Sequence, residues 1–185
     1  MKNLLIISLT LLVFSGMINA QGKFFTRDGH IDFFSSTSVE DIKANNNKVT
    51  CVLDAETGDV EFAVLMKAFE FKKALMEEHF NENYVESEKY PKSKFKGKIL
   101  NINEIDFTKD GSFPADVRGD LTIHGETHEV EVKGTIEIKG EDIRVLSEFH
   151  VSPEQFNIEI PGVVREKIAK ELLITVDVLL KPFNR

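Results

Sequence analysis

Five histidines and one cysteine are the side chains most able to do chemistry in this sequence. His124 and His128 have the HxxxH spacing that ligates a metal from one helix face. Here Gly125-Glu126 reads as a turn between them, and that spacing does not converge across a hairpin tip. His79 falls between Met76 and Phe80 in a helical stretch, where it could hydrogen-bond beside an opening or simply edge an apolar face. Cys51 shares strand parity with Val49 and Leu53 and has no basic partner nearby in sequence, which fits a buried, inert thiol. Being single, it makes no intramolecular disulfide. Carboxylates are plentiful but sit on outward parity, and Glu77-Glu78 reads as a helix surface. There is no G-x-S-x-G, P-loop or G-x-G-x-x-G. Nothing assembles a nucleophile, a base and an oxyanion site, so the expectation is a protein without catalytic residues, metal or cofactor. An isomerase or hydrolase would have to depend on His79 or His150.

The elements that would hold these groups are one helix and many strands. Phe69 to Gly97 contains the one clear amphipathic helix pattern: Leu75, Met76, Phe80 and Tyr84 recur at helical spacing against Lys73, Glu77, Asn81 and Glu82. Pro91 ends it, because the residue before a proline is pushed out of the helical region. Strand patterns occupy the rest. Ile31 and Phe33, then Val49, Cys51 and Leu53, then Val60, Phe62, Val64 and Met66 form three runs, the last two joined by the turn DAETGD. Phe95 to Ile105 reads as a long strand. Val117 to Ile123, Val130 to Ile138, Ile143 to Val151 and Leu172 to Leu180 alternate cleanly, with turns at Lys109–Gly111, His124–Glu126 and Lys139–Asp142.

About eight strands with hairpin-length links and no strand–helix alternation predict an antiparallel sheet. Strands of ten residues or more, and glycines at inward positions 97, 119 and 134, suit a coiled sheet closing into a barrel. The inward set is apolar: Phe33, Phe62, Val64, Met66, Phe95, Ile99, Leu121, Ile123 and Phe149. The inward glycines would leave volume at the centre, so parity alone admits both a ligand cavity and a packed core. Pro153 to Lys170 is irregular, with a turn at Pro161-Gly162 and a short helix over 164–170, and is expected to cap the end away from the helix.

Met1 to Ala20 has an early lysine, an apolar run and a small residue at its end, the pattern of a secretory signal. Its apolar run is shorter than the roughly 20 residues of a membrane span. Removal would leave one domain over 21–185, periplasmic or secreted and not inserted in the membrane. The formal charge of −8 with no basic stripe argues against nucleic acid and anionic surfaces. Apolar strips at Val39–Ile42 and Leu173–Leu179 leave a homodimer open.

The runs Thr57–Phe71 (TGDVEFAVLMKAFEF), Leu75–Gly97 (LMEEHFNENYVESEKYPKSKFKG) and Arg118–Val132 (RGDLTIHGETHEVEV) resemble the YceI-like family of exported bacterial proteins. The HFNENY wording is similar to a branch found in Bacteroidetes-type bacteria. The resemblance covers the chain from about Phe24 to Pro182. It implies an eight-stranded, lipocalin-like antiparallel barrel with the helix near its opening. It also implies a long apolar pocket for a polyisoprenoid, quinone or fatty-acyl chain. The chain departs from the family at its first strand, where Phe24 and Asp28-Gly29-His30-Ile31 stand in place of a Trp-x-x-D start and a histidine–serine pair.

The expected function is thus a non-enzymatic carrier of one hydrophobic small molecule. Candidate lining residues are the inward set together with Phe69, Phe71, Met76 and Phe80. Candidate polar residues at the mouth are His79, Asn83, Tyr84 and Tyr90. The alternative is a filled barrel that docks on an envelope partner through its acidic face.

Overall fold

The computed structural model describes residues 22–183; the leader expected over 1–20 lies outside the described residues. Nine strands and one short helix follow in order: β1 (Lys23–Ser36), β2 (Asp41–Asp54), β3 (Asp59–Leu65), β4 (Phe69–Phe71), α1 (Ala74–His79), β5 (Lys92–Ile99), β6 (Gly111–Ile123), β7 (Glu126–Lys139), β8 (Asp142–Val151) and β9 (Leu172–Pro182). All pairings are antiparallel, and β1 pairs with both β2 and β9, which closes the sheet. β4 continues the track of β3 along β2: Val49–Leu53 pair with Val60–Val64, and Ala44–Asn46 pair with Phe69–Phe71. The result is an eight-stranded barrel with one interrupted stave. At the interruption the fully buried Asn46 amide donates to the Leu65 carbonyl at 2.8 Å, replacing a ladder bond lost where the chain turns through Met66–Ala68.

The helix is shorter than its sequence pattern. Phe69 and Phe71 alternate and are taken by β2, so α1 begins only at Ala74 and widens into a π turn over Phe80–Tyr84. β5 likewise stops at Ile99 rather than Ile105. The Asn101 side chain there accepts from Asp116 N at 2.9 Å and donates to the Pro114 carbonyl at 3.0 Å, substituting for a strand neighbour, and Ile102–Glu104 turns away as a 3-10 turn.

Gly97 and Gly119 face each other across β5 and β6. A Cβ on Gly119 would lie 2.4 Å from Gly97 Cα and 2.8 Å from Phe95 Cζ. The expected void at these glycines is therefore filled by the Phe95 ring, which lies across both.

The ends of the barrel differ. One is shut by the turns at Asp54–Asp59 and Lys139–Asp142 and by the link after β5, which buries Ile105 and packs Ile102 and Phe107 on the core. The other end carries α1, the π turn, the β6–β7 hairpin tip and the long 152–171 connection. Because β8 runs toward the same end as β4, this connection covers the mouth beside the helix and does not cap the far end. Its helical part is a 3-10 turn over Gly162–Lys167. Of the two expected apolar strips, Val39 and Leu179 are exposed, whereas Ile42 faces the mouth.

Candidate functional site

Alternation in eight strands sends one side-chain row inward, and that row is apolar but for Ser93 on β5 and Ser147 on β8 among the residues that line the interior. It encloses an inner cavity of about 200 Å³. Among the residues expected to line it, Phe33, Phe62, Val64, Met66, Phe69, Phe80, Phe95, Ile99, Leu121, Ile123 and Phe149 do so. Strand parity pointed equally to Leu53, Val60, Val117, Val130 and Ile136, which complete the wall. Phe156 and Ile158 also line it, from the irregular connection, where no periodic signal marks a residue as inward.

A second chamber of about 360 Å³ lies at the mouth, between α1, the β1–β2 turn and the 152–171 connection. Met76, Phe71, His79 and Tyr84 line it, as does Leu75, although that side chain is 60% exposed. Six residues belong to both walls: Phe33, Phe80, Val85, Pro153, Ile158 and Leu172. Phe80 is the hub of this neck, with ring centroids 5.7, 5.5 and 5.1 Å from Phe33, Phe69 and Phe71. Aromatic contacts of this kind hold the π turn over the barrel without a backbone ladder.

Charge enters only at the mouth. Glu40, Lys73 and Lys167 line the outer chamber, and Lys73 Nζ donates to Glu40 Oε1 at 2.7 Å. That hydrogen bond holds the Glu40 carboxyl below its ordinary value, with Lys167 adding a smaller attraction. Ser35, fully buried in the same wall, accepts from Ala169 N at 2.9 Å and so ties the long connection to β1. Burial raises the Tyr84 phenol. None of Ser35, Glu40, Lys73 and Lys167 stood out in the sequence, because their partners are distant and no local pattern joins them.

Two expected mouth residues lie elsewhere. Asn83 is on the solvent side of the π turn and lines neither chamber. Tyr90 packs edge-on against His124, with centroids 4.6 Å apart, and is spent on the hairpin tip. His124 is itself a latch. Its Nε2 lies 2.8 Å from Glu86 Oε2 and its Nδ1 lies 3.1 Å from the Phe156 carbonyl, so one ring joins the loop after the helix, the hairpin and the long connection. Both partners are acceptors. The bond to His124 is the main reason Glu86 stays below the usual carboxylate range. His128 packs against Phe156, its ring centroid 5.1 Å away, and His150 is exposed on β8. His30 contacts Asn47 and Asp32 on the outer face. Cys51 is fully buried, and burial pushes its thiol far up.

The YceI-like domain family model matches residues 12–180. The chain belongs to the YceI-like family. Its barrel is similar to three solved structures. One is a polyisoprenoid binding domain from Saccharophagus degradans implicated in plant cell wall breakdown, with TM-score 0.76 and 9% identity over 87% of this chain and 98% of that one. BcnA of Burkholderia cenocepacia gives 0.68 and 16% over 82% and 95%. The YCEI protein of Campylobacter jejuni gives 0.59 and 12% over 76% and 85%. No curated protein matches the sequence. At these identities the structural likeness establishes the fold of this YceI-like chain, and its chemistry must be argued from its own residues.

Proposed function

We propose that this YceI-like protein carries a long-chain hydrophobic molecule, an isoprenoid or acyl lipid, through an aqueous compartment outside the cytoplasm, after a signal is cut behind Ala20. The observation that carries the reading is the closed barrel with an apolar inner cavity opening toward a larger mouth chamber. Together the two fall within the roughly 300–1,000 Å³ of small-molecule sites. Burying a chain contributes about 0.8 kcal/mol per CH₂, so a tail spanning both chambers needs few polar contacts to be held. Phe80, in the shared neck, swings aside in this reading to admit it. The arrangement favours binding over catalysis: the inner wall is almost wholly apolar, and His124 and His128 face a carboxylate, a carbonyl and an aromatic ring rather than a nucleophile.

The Saccharophagus relative's description as a polyisoprenoid binding domain supports the same class of ligand. Native mass spectrometry of the exported, detergent-free protein, followed by organic extraction, tests it. A discrete added mass that extracts as a polyprenyl, quinone or acyl species is expected. A bare mass that stays bare after incubation with such lipids overturns the carrier reading and leaves a partner-docking barrel. Phe62→Asp or Phe95→Asp, if still folded, should abolish retention.

A further inference from the structure

The carrier reading leaves the polar end of the cargo unspecified, and the mouth chamber bears on it. Its wall holds two ammonium groups, Lys73 and Lys167, and one carboxylate, Glu40. Glu40 is committed to Lys73 at 2.7 Å. Lys167 acts on Glu40 only at longer range and has no ion pair among the described residues. Three further polar side chains line the wall: Ser35, Tyr84 and His79. Ser35 Oγ is engaged as an acceptor from Ala169 N, which leaves its proton to give, and the Tyr84 hydroxyl makes no hydrogen bond among the described residues. The chamber thus has surplus donors and one unmatched positive charge, directly outside an apolar tunnel.

We propose that the mouth chamber seats a single negative charge, the carboxylate of a long-chain fatty acid, between Lys167 and the Ser35 hydroxyl, with the acyl tail passing the Phe33–Phe80 neck. This rests on the carrier reading and narrows its cargo. A carboxylate only accepts hydrogen bonds, which is what surplus donors require. A neutral head, such as a quinone or an ester, offers the exposed Lys167 no charge to pair with. A doubly charged phosphate would exceed the one cation of the wall left unpaired among the described residues and would share the chamber with the Glu40 carboxylate. Glu40 is therefore a selectivity device as well as a partner for Lys73.

The experiment uses the delipidated full mature chain and three ligands of equal tail length: palmitate, methyl palmitate and hexadecyl phosphate, titrated at low salt. Palmitate should bind about tenfold more tightly than its ester, as a charge-assisted contact implies. Lys167→Gln should erase that difference while leaving ester binding, the control for an intact barrel, where it was. Glu40→Gln should raise the affinity for hexadecyl phosphate severalfold by removing the opposing charge. Equal binding of acid and ester by the wild type, or an unchanged ratio in Lys167→Gln, overturns the assignment of the head while leaving the carrier standing. Failure of all three ligands to bind overturns the carrier reading, and this inference with it.

Discussion

The two ends of this barrel are built from different materials. At the shut end the closures are short and rest on apolar packing as well as on polar ties: Ile105 is buried, Ile102 and Phe107 lean on the core, Asp110 accepts from Gly140 N, and the backbone enters the left-handed region only at Gly58 and Gly140. Glycine adopts that conformation without a steric penalty. At the mouth Gly125 does so too, and beside it three non-glycine residues, Glu86, His124 and Asn157, at φ of 43°, 52° and 53°. All three belong to the one latch: Glu86 and His124 bond each other, and Asn157 follows the Phe156 whose carbonyl faces His124. Such residues cost of order 1 kcal/mol each unless their surroundings hold them. The mouth is also tied by side chains, through Ser35–Ala169, Lys73–Glu40 and Arg165–Glu154. A closure made of strained backbone held by polar contacts opens at lower cost than one made of packed core. The shut end provides stability, and the mouth provides access.

The hardest test of that contrast is to remove equal bulk from both ends. Leu180, fully buried and paired with Ile143 near the shut end, should lose roughly 3 kcal/mol on Leu180→Ala, lowering the Tm by about 6–12 °C. As a reference in the wall between the ends, Gly119→Ala adds bulk instead, and its new Cβ, 2.4 Å from backbone, should destabilise the protein by a similar amount. Met76→Ala at the mouth should cost about 1 kcal/mol or less, because its side chain faces an existing chamber. Calorimetry of the three variants decides it: equal losses at Leu180 and Met76 would mean that both ends are core.

This asymmetry explains what could be read in advance. Strands such as β6 and β7 announce themselves because a residue slip of one would turn Leu121, Ile136 and Ile138 out to water, so their period is enforced. The barrel and most of the inner wall follow from that period alone. The mouth has no such enforcement. Phe69-Glu70-Phe71 fits a strand or a helix start, and pairing with Ala44 and Asn46 of β2 decides for strand. Lys73 finds Glu40 thirty-three positions away, and Tyr90 finds His124 through a fold no local window contains. Asn83 shares the helical stretch with Tyr84, but the π turn's wider pitch leaves it facing water. Local pattern reaches the shut end and the walls, and tertiary chemistry assembles the mouth.

A smaller and more selective effect is expected from His124→Gln. The variant keeps an amide hydrogen-bonding group but cannot bridge Glu86 and Phe156 together. Loss of one contact at a largely buried site costs about 1–2 kcal/mol. Hydrogen exchange should speed up in 85–90 and 153–158 while β6 to β9 remain protected. Cys51 reports the other mode: its buried thiol should stay unreactive toward a disulfide reagent until the barrel itself unfolds. Thiol labelling that rises in step with the loosened mouth would show that the ends are coupled rather than separate.

Acid should separate the two ends by the smallest margin. Glu40 and Glu86 at the mouth are both held below their ordinary value of 4.5, chiefly by hydrogen bonds to Lys73 and His124 respectively. Asp106 at the shut end is held down to about 2, from 3.8, chiefly by Lys109 and then by Thr108. A carboxyl whose folded value is depressed stabilises the fold above its unfolded value, and that contribution is lost as the pH falls through the folded one. The mouth contributions therefore start to fail below about pH 4.5, while that of Asp106 is intact until about 3.8 and persists toward 2. These groups are exposed and the effects small, so the readout must be local. In an NMR titration from pH 6 downward, amides of residues 86, 124 and 156 should shift before those of 106–109. If the Asp106 turn moves first, the polar latch is not the weaker closure, and the division of labour between the ends fails.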